Sequence, residues 1–301
     1  MTNFEGIYTA LITPMMPDHT LNENVLRQVV DFNINAGIDG FWVAGGSGES
    51  VLLEDEENTR IAQIVVEQTA GRAKIIHHVG SPNTRRSATM AEVAAKAGVD
   101  AICCVPPFFY HFGDSSVVSH YHTVAAATDL PFFAYNLPMM TNCEITPKLM
   151  AKIQDGVPQL TGLKHSALDF GHVRPFVKMG LACFIGRSPW MLPALSMGAC
   201  GCVDGWPGIA PEYWVELWRA WQAGDMATAL AAQDKGIAVA NLFQFGNMHG
   251  LLKAAIGYRI GLDCGTPRPP GVPLRPDQDA AVREYMAGLD LLPTDAVHAA
   301  Q

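Results

Sequence analysis

Lys164 closes the apolar run Leu160-Thr161-Gly162-Leu163. A lysine at the end of a buried strand stands in low-dielectric surroundings. Burial there disfavours the ammonium and frees the amine as a nucleophile toward a carbonyl. The same side chain could instead reach past the strand end to solvent. Tyr135 closes a similar run, Pro131-Phe132-Phe133-Ala134. A phenol beside such a lysine can shuttle protons, and a core tyrosine whose hydroxyl caps a loop is the plainer alternative. The third feature is Gly45-Gly46-Ser47-Gly48-Glu49-Ser50, which follows an apolar run. Exposed N–H groups and a hydroxyl at such a turn suit a carboxylate or a phosphate. Glu49 fills the last glycine place of a G-x-S-x-G nucleophile elbow, and no Gly-Lys pair is present, so neither a hydrolase elbow nor a P-loop is indicated. Metal-ligand patterns are poor. His120 and His122 face different ways on an expected helix, His77 and His78 alternate across a strand, and Cys200 with Cys202 makes a single pair. No metal site is expected.

These residues need elements to position them. Short apolar runs at 7–13, 40–43, 74–79, 101–105, 131–135, 160–164, 182–185 and 200–203 read as strands buried on both faces. Amphipathic stretches at 22–35, 54–69, 84–97, 115–128, 147–154, 169–179, 189–197 and 211–223 read as helices between them. The segments Ala36-Gly37-Ile38-Asp39-Gly40, Ala97-Gly98-Val99-Asp100-Ala101 and Met197-Gly198-Ala199-Cys200-Gly201 echo one another, each with glycine where a helix end needs a left-handed residue. The alternation predicts a (β/α)8 barrel over residues 1–223. A doubly wound open sheet would want a glycine-rich phosphate loop after the first strand, and Thr13-Pro14-Met15-Met16-Pro17 is not one. Helical stretches at 226–242, 248–260 and 277–287, with a Pro-rich link at 266–276, predict a C-terminal helical extension over 224–301, packed on the barrel and too small to fold alone.

Composition narrows the function classes. Of 301 residues, 49% are apolar and 16% charged, which supports a large core and excludes a disordered chain. The net charge of −9 disfavours binding to nucleic acid or an anionic membrane through bulk charge. Met1 to Gly6 carries no signal-peptide pattern, no run is apolar enough to span a membrane, and the seven cysteines read as reduced thiols, so a cytoplasmic protein is expected.

Together the motifs resemble a known family. Gly45-Gly46-Ser47-Gly48-Glu49-Ser50 is similar to a G-[ST]-[ST]-G-E loop, Tyr135-Asn136-Leu137-Pro138 to a Y-N-x-P motif, and Gly162-Leu163-Lys164 to a G-[IL]-K strand. In this order they resemble the N-acetylneuraminate lyase and dihydrodipicolinate synthase superfamily of class I, pyruvate-dependent aldolases, over about residues 4–258. His78-Val79-Gly80 and the segment 105–110 look closer to the lyase branch. The resemblance implies a Schiff base between Lys164 and pyruvate or another 2-oxo acid, with Tyr135 as the acid/base. It implies that Ser47 and the Gly46 and Ser47 N–H groups hold the carboxylate and that Gly186 lines the site. No organic cofactor is implied, since the iminium is itself the electron sink. It also implies a homotetramer with an aromatic residue from a neighbouring subunit near the site, in the region of Phe109 and Tyr110.

Departures from the family pattern bear on the substrate. Gly46 stands where the family loop has its first hydroxyl, and Phe109 lacks one at the matching place, so the usual proton relay is broken and Ser47, Tyr110 or water would have to serve. Met140 stands where dihydrodipicolinate synthase has an arginine. Gly186-Arg187-Ser188 replaces the acidic pair with which sialic acid lyase binds sugar hydroxyls. Arg187 could pair with an anionic group at the far end of a substrate or face solvent. The expected activity is a lyase acting on a 2-oxo acid such as a 2-keto-3-deoxy sugar acid. The alternatives are a dehydratase or hydratase-aldolase using the same imine, and a binding protein without turnover.

Overall fold

The computed structural model describes residues 4–293. Eight parallel strands close into a barrel in sequence order: β1 (Gly6–Ala10), β2 (Gly40–Val43), β3 (Lys74–His78), β4 (Ala101–Cys104), β5 (Phe132–Asn136), β6 (Leu160–His165), β7 (Ala182–Ile185) and β8 (Gly201–Asp204). β8 pairs back onto β1. The intervening helices are α1 (Glu23–Ala36), α2 (Asp55–Thr69), α3 (Thr84–Ala97), α4 (Asp114–Ala125), α5 (Pro138–Thr141), α6 (Pro147–Gly156), α7 (Val173–Lys178), α8 (Met191–Ser196) and α9 (Pro211–Ala223). The (β/α)8 barrel expected from the alternation is therefore the fold. α10 (Met226–Ala240), α11 (Met248–Ile260) and α12 (Pro276–Gly288) follow it. Residues 1–3 of the expected barrel segment and 294–301 of the expected extension lie outside the described residues.

Local chemistry sets the boundaries. The Asn22 and Asn83 side chains accept from the backbone N–H groups of Val25 and Arg86, capping α1 and α3. Both helices stop at glycines with φ 93°, Gly37 and Gly98, which a side chain would strain. Two residues on, Asp39 and Asp100 turn back and accept from the N–H groups of Ile7 and Ile75 at 2.8 and 2.9 Å. The echoed Gly-x-Asp segments thus end a helix and tie the next strand to its neighbour.

Several expected boundaries differ; the first strand, expected at 7–13, is Gly6–Ala10, and the helix expected at 115–128 is Asp114–Ala125. The helices expected at 169–179 and 189–197 begin as 3₁₀ turns, Phe170–His172 and Ser188–Trp190, and become α-helical only at Val173 and Met191. Pro175 and Pro193 explain this: proline has no N–H for an interior helical bond, so each α-helix starts where its proline falls in the first turn. The strand expected at 200–203 runs Gly201–Asp204, one residue further.

The core is in two parts. Inside the barrel lie Phe4, Tyr8, Trp42, Ile76, Phe133, Phe184 and Val203, with edge-to-face contacts between Phe4 and Phe133 at 5.1 Å and Tyr8 and Phe184 at 4.8 Å. The larger part fills the layer between strands and helices and continues beneath α10, α11 and α12 through Leu251, Ile256, Val282 and Met286. Each large buried side chain contributes roughly 1.5–3 kcal/mol. All seven cysteines are free. No helix among the described residues is long and apolar enough to cross a membrane.

Candidate active site

Lys164 and Tyr135 lie near the C-terminal ends of β6 and β5 and are register partners in the sheet. Both are buried, at 4% and 5% exposure, so the solvent-reaching alternative for Lys164 does not hold. The Lys164 Nζ sits 4.5 Å from the centroid of the Tyr135 ring and 5.5 Å from that of Trp42. Trp42 and His78 pack edge-on against Tyr135, each at 6.0 Å. The lysine therefore stands in a wall of aromatic faces, each favourable to a cation.

His78 alternates with His77, as the strand period requires. His77 reaches Asn58 at 2.5 Å, and His78 faces Tyr135 while its Nδ1 meets the Ala44 carbonyl at 3.2 Å. Burial pushes the His78 imidazole down to about 4; the Ala44 carbonyl opposes this and the Lys164 ammonium adds to it. His78 is thus neutral near pH 7.

The Gly45–Ser50 loop forms two 3₁₀ turns, Gly46–Gly48 and Ser50–Leu52, ahead of α2. A Cβ built on Gly46 would lie 3.8 Å from the Tyr135 hydroxyl, and the Ser47 Oγ lies 3.1 Å from one built on Gly205. Gly46 thus faces the phenol and Ser47 faces the end of β8. The N–H groups of Gly46 and Ser47 donate to no group among the described residues. Glu49 holds the loop from behind. It takes a left-handed backbone (φ 66°), which burdens an L-residue by roughly 1–2 kcal/mol. Its buried carboxylate pairs with Lys253 at 2.6 Å and accepts from the Arg268 N–H at 2.7 Å. The Thr13 hydroxyl donates to the Gly48 carbonyl at 2.8 Å.

Gly186, just past β7, donates its N–H to the His165 carbonyl at 2.8 Å and packs so closely on Ser166 that a Cβ would meet the Ser166 Oγ at 1.9 Å. Next to it, Arg187 is half-buried. Its guanidinium lies 5.1 Å from the centroid of the Trp190 ring and 3.4 Å from the Met139 sulfur, with no carboxylate partner among the described residues. Tyr110 is different. It is exposed and its ring contacts are with Phe109 and Phe112, so the fold of one chain does not bring it to Lys164.

Four site features were not read from the sequence. Asp204 ends β8, half-buried, with its carboxylate accepting from the N–H groups of Ser188 and Gly205, both at 2.8 Å. Burial pushes this carboxyl up, while the Ser188 N–H and the Lys164 ammonium pull it down. The signal was its place after an apolar run, the same that marked Lys164 and Tyr135. Trp42, His249 and the Glu49–Lys253 pair carry no comparable local signal. As for metals, the one grouping of potential ligands among the described residues is Glu144, Asp169 and His172, with donor atoms within 4.8 Å of one another and both carboxylates exposed.

Residues 3–288 match the family model described as the dihydrodipicolinate synthetase family. The chain belongs to that family. The dihydrodipicolinate synthetase family is one of class I aldolases and lyases working through a lysine Schiff base, and this protein is an enzyme of that type. It is 31% identical to a 4-hydroxy-tetrahydrodipicolinate synthase of Methanopyrus kandleri, over 96% of this chain and 97% of that one. It is 33% identical to one of Gluconacetobacter diazotrophicus, over 97% and 99%. Among solved structures, a prophage protein of E. coli K12 from the dihydrodipicolinic acid synthase family, solved with pyruvate, shares the fold with a TM-score of 0.91 at 24% identity, over 96% and 99% of the two chains.

Proposed function

We propose that this enzyme cleaves or forms a carbon–carbon bond of a 2-oxo acid of the 2-keto-3-deoxy sugar acid type, with pyruvate as product or donor. The observation that carries the reading is the buried Lys164–Tyr135 pair beneath a loop with two undonated N–H groups. In this reading the Lys164 amine adds to the C2 ketone and water leaves, giving an iminium. Tyr135 takes the proton from the C4 hydroxyl as the C3–C4 bond breaks. The bond pair flows into the iminium to give an enamine, which is protonated at C3 and hydrolysed to pyruvate. The Gly46 and Ser47 N–H groups and the Ser47 hydroxyl hold the carboxylate, and Gly186 lines the opposite side. Trp42 Nε1 and His78 Nε2 near Lys164, and Ser166 Oγ against Gly186, are buried with no protein partner among the described residues. Buried polar atoms are seldom left so, and a polar substrate offers them partners.

The substrate's far end is read from the rim. Arg187, with no ion-pair partner among the described residues, suits an anionic terminus. Met140, exposed and uncharged beside the equally exposed Met139, stands where a synthase of the dipicolinate type would have an arginine, which supports a lyase despite the names of the relatives above. The exposed Phe109, Tyr110 and Phe112 form an apolar cluster that suits cover by a neighbouring subunit of a homotetramer. The barrel at 1–223 and the extension at 224–301 act as one unit. The free cysteines suit a cytoplasmic setting.

The test is borohydride reduction with pyruvate, followed by intact mass and peptide mapping. A single pyruvate-derived adduct on Lys164 is expected, and none in Lys164→Ala with an unchanged circular dichroism spectrum. Folded wild-type protein without an adduct would overturn the reading. Water loss from the substrate without carbon–carbon cleavage would reassign the enzyme as a dehydratase.

A further inference from the structure

The Gly46 carbonyl is held from across the chain. The His249 Nε2 lies 2.8 Å from the Gly46 oxygen, so the N–H is on Nε2 and donates to it. The same oxygen also accepts from the Glu49 N–H at 3.2 Å. In a trans peptide the C=O of one residue and the N–H of the next point in opposite directions. A donor that fixes the Gly46 C=O on the α11 side therefore fixes the Ser47 N–H on the other side, away from α11. A hydrogen bond to the carbonyl also polarises the amide and strengthens its N–H as a donor.

Glycine at 46 makes this tether necessary. It has no side chain to anchor the peptide and the widest backbone freedom of any residue. α11 supplies the anchor twice: His249 and Lys253 are four residues apart, hence on one helical face. The first holds Gly46 and the second pairs with Glu49 at 2.6 Å.

We propose that His249 is a positioning residue, which aims the Ser47 N–H at the substrate carboxylate by holding the Gly46 carbonyl. This rests on the carboxylate-binding reading of the loop given above. His249 itself touches neither the reacting atoms nor the carboxylate in this role.

The test compares wild type, His249→Ala and His249→Gln, whose amide N–H can reach the same carbonyl. Two quantities are read: the pyruvate concentration for half-maximal borohydride trapping on Lys164, and the extent of trapping at saturation. His249→Ala is expected to raise the first about three- to tenfold, the worth of one ordinary hydrogen bond, and to leave the second unchanged. His249→Gln is expected to return the first to within about twofold of wild type. Deuterium exchange over residues 45–49 of the unliganded protein is expected to quicken in His249→Ala and to recover in His249→Gln. An unchanged half-saturation in His249→Ala overturns the proposal, as does an equal loss in both variants. If wild type itself traps no pyruvate, the reading of the site fails and the proposal falls with it. Trapping in wild type with no effect of His249→Ala removes the proposal alone.

Discussion

Lys164 and Tyr135 face each other across one rung of the barrel, and the ammonium of the first lies 4.5 Å from the ring centroid of the second. Because they are register partners on adjacent strands, the ring supports the lysine as well as carrying the hydroxyl. Tyr135→Phe separates these tasks. It keeps the ring against Lys164, Trp42 and His78 and removes the hydroxyl. Pyruvate trapping on Lys164 should persist while turnover falls about 10²–10⁴-fold, the usual scale of acid–base catalysis. A turnover loss below threefold would take Tyr135 out of that role.

Arg187 makes a prediction about substrate charge. Its guanidinium rests on Trp190 and Met139 rather than on a carboxylate. Arg187→Ala should raise KM for a substrate with an anionic terminus at least tenfold more than for a neutral analogue. Equal effects on both would mean that the guanidinium only packs.

Gly46 lies beside the phenol with room to spare, since the one atom near a built Cβ is the Tyr135 hydroxyl at 3.8 Å. Gly46→Ser should therefore fold normally and be neutral or stabilising by up to about 1 kcal/mol, through loss of unfolded-chain freedom. Urea denaturation measures this. Destabilisation beyond about 1 kcal/mol would show that the loop needs a conformation only glycine adopts.

The Glu49–Lys253 pair is buried on both sides, at side-chain exposures of 0% and 1%. Removing one charge from such a pair strands the other. Lys253→Met should destabilise the fold by about 3–5 kcal/mol, and Glu49→Gln with Lys253→Met together by much less. Denaturation of Lys253→Met, Glu49→Gln and the double variant gives the coupling directly, and additive losses would refute it.

Stability should depend on pH through four buried histidines, His77, His78, His120 and His165, each held below the ordinary imidazole value by burial. Burial holds His78 and His120 down to about 4 and His77 to about 3, against an ordinary value of 6.5. Below pH 6.5 the unfolded chain takes up these protons and the folded chain does not, until pH reaches about 4. Unfolding is thereby favoured, so stability falls as pH drops through that window and is level above it with respect to these groups. Each contributes up to about 1.4 kcal/mol per pH unit. Urea midpoints from pH 8 to pH 5 test the trend, and His120→Gln should make the slope shallower.

The sequence made Lys164 and Tyr135 legible because each is the first polar residue after an apolar run, where a parallel barrel keeps its chemistry. Asp204 stands in the same relation to Cys202 and Val203. It was passed over because an apolar criterion ends a strand at the last apolar residue, whereas the backbone ladder carries on through Asp204. The barrel itself was legible because helix ends and strand starts share the Gly-x-Asp device at Gly37 and Gly98. The late starts of α7 and α8 follow from Pro175 and Pro193, a cue present in the sequence but weaker than the amphipathic pattern around it. His249 had no local cue: its partner lies 203 residues earlier, and only the closed fold joins them.

That distance has a consequence for the order in which the protein becomes competent during synthesis. The lysine, the tyrosine and all eight strands have left the peptidyl-transferase centre once residue 204 is added. The side chains that lock the Gly46–Glu49 turn are added some fifty residues later, which at 5–20 residues per second is roughly 2–10 s. For that interval the strand residues exist without the side chains that fix the Gly46–Glu49 turn. The late arrival of α11 means that the Gly46–Glu49 turn is locked only after all eight strands have been made.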